Sequence, residues 1–70
     1  MELPDIEVVA AEVHAEWMRL KGTQGITTRK SEAGEELMVP YDQLSEVAKD
    51  LDRGMVQAVY RAIRKCNDSR

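Results

Sequence analysis

Seventy residues with 13 acidic and 10 basic side chains, 43% hydrophobic content and a net charge of −3 make one domain, spanning 1–70, around a single small core. The acidic balance offers no broad positive field to a phosphate backbone, so nucleic acid is not the expected partner. One cysteine, Cys66, and one histidine, His14, exclude an intrachain disulfide and a Cys/His zinc cage, and no run reaches the ~20 apolar residues that cross a bilayer.

Ile6, Val9 or Ala10, Val13, Trp17 and Leu20 recur at spacings of three and four, which predicts an amphipathic helix from about Asp5 to Lys21. Asp5 is its expected N-cap, and Gly22 is expected to close it in a left-handed turn. A second row, Val8, Ala11, Ala15 and Met18, widens the stripe, so this helix should touch more than one neighbour. Gly22-Thr23-Gln24-Gly25 reads as a loop. Ile26-Thr27-Thr28 and Leu37-Met38-Val39 favour extended backbone on either side of the turn-forming Ser31–Glu36 stretch, and Pro40 ends the second of them. Together they predict a short β-hairpin, which is marginal alone in water and must lean on the helices.

Helical spacing returns at Tyr41. Asp42 or Ser45 can cap a short helix holding Leu44, Val47, Ala48 and Leu51, and Asp52 can cap another. Met55 or Val56, Val59 or Tyr60, Ile63 and Cys66 line one side of that last helix. Gly54 in its first turn weakens continuity, so a bend is expected at Asp52-Arg53-Gly54. The basic Arg61, Arg64, Lys65 and Arg70 suit a helix C-terminus. The expected fold is mainly α: about three helices, with a two-stranded β-hairpin between the first and second, closing on Val13, Trp17, Leu44, Leu51, Val59 and Ile63.

Three motifs follow one another along nearly the whole chain: Val13-His14-Ala15-Glu16-Trp17, then Val39-Pro40-Tyr41-Asp42-Gln43-Leu44-Ser45-Glu46, then Lys49-Asp50-Leu51-Asp52-Arg53. In that order they resemble the ryanodine receptor repeat, the RyR domain, in the single-copy form carried by bacteria and phages. The resemblance implies a helical fold with short β segments, used as an interaction or ligand-sensing module without catalytic residues. In the large channels these repeats occur as tandem pairs about a pseudo-twofold axis. This chain departs from the family in three places. Gly25-Ile26-Thr27 stands where an aromatic Gly-Trp-x-Tyr-Gly stretch is frequent, Ser45 replaces a common proline, and Leu51 replaces a tyrosine.

The chain contains no Gly-x-Ser-x-Gly elbow, Walker loop or Gly-x-Gly-x-x-Gly, so no catalytic residue, cofactor or metal is assigned and a non-catalytic role is expected. For a small-ligand site, His14, Arg29, Lys30, Tyr41 and Arg53 are the candidates, set around the cleft between the first helix and the hairpin. They would grip an anionic, nucleotide-derived molecule. Each also has an architectural reading: His14 bonded to loop backbone, Tyr41 and Asp42 fixing the turn, Arg53 a surface cation, and Arg29-Lys30 solvated. A helical DNA-binding module is a third reading, disfavoured by the acidic charge. The preferred expectation is a homodimer, because the chain carries more apolar surface than one small core can hide. The start Met1-Glu2-Leu3-Pro4-Asp5 has neither the basic residues nor the apolar run of a signal peptide, and a lone thiol suits a reducing compartment, so a cytoplasmic location is expected.

Overall fold

The computed structural model describes residues 2–68 and is mainly helical. Two α-helices, α1 (Ile6–Thr23) and α2 (Glu46–Asp68), are joined by an irregular segment that contains a 3₁₀ turn at Tyr41–Gln43. Asp5 occupies the N-cap position of α1, but its side chain makes no capping bond. Its backbone carbonyl instead accepts the Val9 N–H at 3.1 Å. At the other end the helix passes through Gly22. Gly25 takes the left-handed conformation (φ 76°), its N–H reaching the Gly22 carbonyl while the Ile26 N–H reaches that of Lys21, both at 3.0 Å. This paired closure is the Schellman motif, and it requires its glycine one residue beyond the C-cap Gln24.

The two helices expected after Tyr41 are one. α2 runs unbroken through Asp52-Arg53-Gly54, so the bend and the Asp52 cap are corrected. Glycine inside a helix costs only about 1 kcal/mol, and Arg53 offsets part of it by bridging back one turn to Asp50 at 2.7 Å and two turns to Glu46 at 2.8 Å. Ser45 starts the helix: its hydroxyl accepts the Ala48 N–H at 3.2 Å.

The β-hairpin is also corrected, since the described residues contain no strand. The chain does reverse, with one antiparallel bridge between Lys30 and Glu36 around a turn in which Gly34 has φ 87°. A side chain takes over the work of a ladder there. The Glu36 carboxylate accepts the backbone N–H groups of Arg29 at 2.7 Å and Met38 at 3.0 Å and the Thr28 hydroxyl. Glu35 reaches the other way and accepts the Ser45 N–H and hydroxyl, at 2.8 and 2.7 Å, which ties the loop to the start of α2.

The core lies where α1 crosses α2. Ala10 is fully buried against Val56 and Tyr60, with Leu3, Ile6, Val9 and Tyr41 packed around them, and Leu44 and Ala48 extend the buried set. Alanine at the crossing lets the two backbones approach closely. The expected core was centred elsewhere. Leu51 (66% exposed) and Val59 (56%) stand largely in solvent and Val13 is 40% exposed, whereas Trp17 and Ile63 are half-buried. The reason is a rotation of the buried stripe: α1 turns Ala10 and His14 inward, and α2 turns Ala48, Val56 and Tyr60 inward. The molecule measures 43 × 26 × 19 Å.

Candidate functional site

Among the described residues His14 is the buried one with a charge-bearing side chain, 4% exposed on the inner side of α1. Its Nε2 lies 2.7 Å from the Val39 carbonyl oxygen. A carbonyl only accepts, so Nε2 carries a hydrogen. Nδ1 then faces the Asp52 carboxylate of α2 at 3.5 Å, long for a hydrogen bond, and a proton on either group makes that approach attractive. Burial pushes the Asp52 carboxyl above its usual range, with the His14 charge pulling the other way. The imidazole has Trp17 stacked on it at 5.5 Å between ring centroids and Tyr41 tilted beside it at 6.3 Å. One side chain thereby joins α1, the loop and α2.

Beside it, Glu7 of α1 receives two bonds from the Arg53 guanidinium, at 2.7 and 2.8 Å, and one from the Tyr41 hydroxyl at 3.0 Å. Arg53 also serves Glu46 and Asp50, while Lys49 lies 5.5 Å over the Tyr41 ring and 3.9 Å from Glu46. Three carboxylates thus face two cations. An anion brought here would displace an existing partner of Arg53 rather than meet an unused charge.

Of the proposed ligand residues, the fold brings His14, Tyr41 and Arg53 together. Arg29 and Lys30 lie in the exposed turn that Glu36 closes. A shallow hollow of about 330 Å³ opens between α1 and the 3₁₀ turn, lined by Ala11, His14, Met18, Pro40 and Tyr41. Among the described residues no three His, Cys, Asp or Glu side chains gather in a way that could hold a metal ion.

The carboxylates that knit the loop and α1 yield a pH prediction. The Arg53 guanidinium brings Glu7 down from 4.5 to about 2. The Arg29 N–H first, then the Thr28 hydroxyl and Met38 N–H, bring Glu36 to about 2. A lowered pKa in the folded state means stability that is complete above the unfolded value and lost as pH falls through the folded one. Acid should therefore loosen the 28–38 loop between pH 4.5 and about 2. In an NMR titration the Arg29 and Met38 amide shifts should move with a midpoint near 2, and a midpoint at the ordinary glutamate value would contradict the bonding described.

A larger feature escaped sequence reasoning. Val47, Leu51, Met55 and Val59 of α2 are 76%, 66%, 65% and 56% exposed, and Val13 of α1 is 40% exposed beside them. Val13 and Met55 together border two adjoining apolar grooves of about 140 and 270 Å³. Trp17, Leu37 and Leu51 continue the second groove. Placing Leu51 and Val59 in the core concealed this face. The signal that exposes it is the division of α2 into two apolar sides, one around Ala48, Val56 and Tyr60 and the other around Leu51, Met55 and Ala58. Among the described residues no helix is long and apolar enough to cross a membrane. Compared with family models, curated proteins and solved structures, the chain matches none.

Proposed function

We propose that the chain is a non-catalytic interaction module of the ryanodine receptor repeat kind, acting as a homodimer. The observation that carries this reading is the uncovered apolar face formed by Val13, Leu51, Met55 and Val59. Apolar surface of this extent marks an association site, and the two-helix core beneath it is too small to be comfortable alone. The family likeness gains support from the way its motif residues converge. His14, Trp17, Tyr41, Asp52 and Arg53 meet in one joint, an economical reason for those residue types to occur in that order. Size-exclusion chromatography with light scattering is the test. At tens of micromolar the expected mass is twice 7.9 kDa, and a strict monomer would overturn the homodimer.

A second reading, a small-ligand sensor, draws support from the hollow next to His14 and Tyr41. The commitment of Arg53 to three carboxylates weakens it for anionic ligands. Thermal-shift screening against nucleotides separates the readings, since a ligand at a hundred times its dissociation constant adds ~2.7 kcal/mol.

A further inference from the structure

The outward side of α2 has an internal order of its own. Leu51, Met55, Ala58 and Ala62 follow one another at spacings of four, three and four, and all four are exposed. That spacing draws a nearly straight seam along a helix, as in coiled coils. Within 51–62 the charged residues Asp52, Arg53 and Arg61 all fall off the seam. Large side chains occupy its first half and small ones its second.

We infer that this seam is a twofold interface in which α2 packs antiparallel against α2 of a second copy, with the axis passing between Val56 and Gln57. The inference rests on the homodimer reading above and adds the face, the direction and the register. In an antiparallel pair, residues whose numbers share a constant sum stand level with one another. With the axis at that point, Leu51 stands level with the partner's Ala62 and Met55 with the partner's Ala58. Val47 stands level with the partner's Cys66, and Gly54 with the partner's Val59. Every large side chain meets a small one, the alternation that lets facing rows interdigitate. A parallel pair in the same register would set Leu51 on Leu51 and Ala62 on Ala62, crowded at one end and void at the other.

Charge points the same way. The first half of α2 holds Glu46, Asp50 and Asp52 against Lys49 and Arg53, and the second half holds Arg61, Arg64 and Lys65 against Asp68. Antiparallel packing lays the acidic half along the basic half at both ends, whereas parallel packing lays like on like. The area is of the right size. With Val13 alongside, the exposed apolar side chains offer on the order of 600 Å² per copy, near the ~800 Å² per partner of a standard stable interface. A second copy carries the complementary surface by construction, since a twofold contact uses one patch twice.

Disulfide trapping tests it. In a Cys66→Ser background, Leu51→Cys with Ala62→Cys should oxidise to a cross-linked dimer. Leu51→Cys alone should not, because the two copies of position 51 lie about 16 Å apart along the axis at 1.5 Å per residue. Both positions are exposed in the protomer, so the changes leave its core intact. Three results would overturn the inference. A wild-type chain that is monomeric by light scattering removes the homodimer and the interface together. A dimer whose double variant does not cross-link, or whose Leu51→Cys variant cross-links to itself, removes the antiparallel seam and leaves the homodimer standing.

Discussion

Replacing Tyr60 with alanine is expected to abolish the folded state near room temperature, seen as loss of the helical circular dichroism signal. The ring is 7% exposed and packs on Ala10 and Val56, and large-to-small changes of aromatic core residues cost about 3–5 kcal/mol. A core of this size supplies about as much in total. Tyr60→Phe isolates the hydroxyl, which donates to the Pro4 carbonyl at 2.9 Å. Its loss should cost about 1 kcal/mol and lower the urea midpoint without erasing the transition. A Tyr60→Ala chain that melts like the wild type would mean that the crossing of α1 and α2 is not the centre of stability.

The second large effect is expected at His14. Alanine there leaves the Val39 carbonyl without its donor, a loss of about 1–3 kcal/mol for a sheltered acceptor, and removes the ring stacked on Trp17. It also leaves the Asp52 carboxylate, whose charge burial disfavours, without the imidazole 3.5 Å away. Removing Asp52 as well should therefore restore part of the loss. In urea denaturation the His14→Ala, Asp52→Asn double variant should be less destabilised than the sum of the single variants. Strict additivity would show that the 3.5 Å approach of Nδ1 to the carboxylate contributes nothing. The assay also separates an architectural histidine from a ligand-binding one, because only the former lowers stability in the absence of any added molecule.

Much of this was legible in the residues, and what was not has physical causes. α1 could be placed because its apolar positions keep helical spacing for more than four turns, yet spacing does not say which side of a wide stripe is buried. On α1 a rotation of about one residue separates the Val13 row from the Ala10–His14 row, and steric fit decides between them: alanine, not valine, allows the backbones to close. Gly54 was misleading for a related reason. Its backbone cost is real, but smaller than the gain from one continuous α2 braced by Arg53. The hairpin failed because β-branched composition at Ile26-Thr27-Thr28 describes a preference for extended backbone, while a ladder also needs a partner strand in register. Glu36 supplies acceptors to the amides that such a partner would have bonded, a local solution that composition does not announce. In the candidate site, His14 and Tyr41 were recognisable by type. The saturation of Arg53 depends on Glu7, 46 residues away along the chain, and emerges only once α1 and α2 are side by side.

The bond from Tyr60 to the Pro4 carbonyl has a practical corollary. Together with Leu3, which packs against the Ala10 cluster, it makes the stretch ahead of α1 a strap buckled onto the far helix. Anything fused in front of the chain hangs from that buckle and pulls on the most deeply packed point of the molecule.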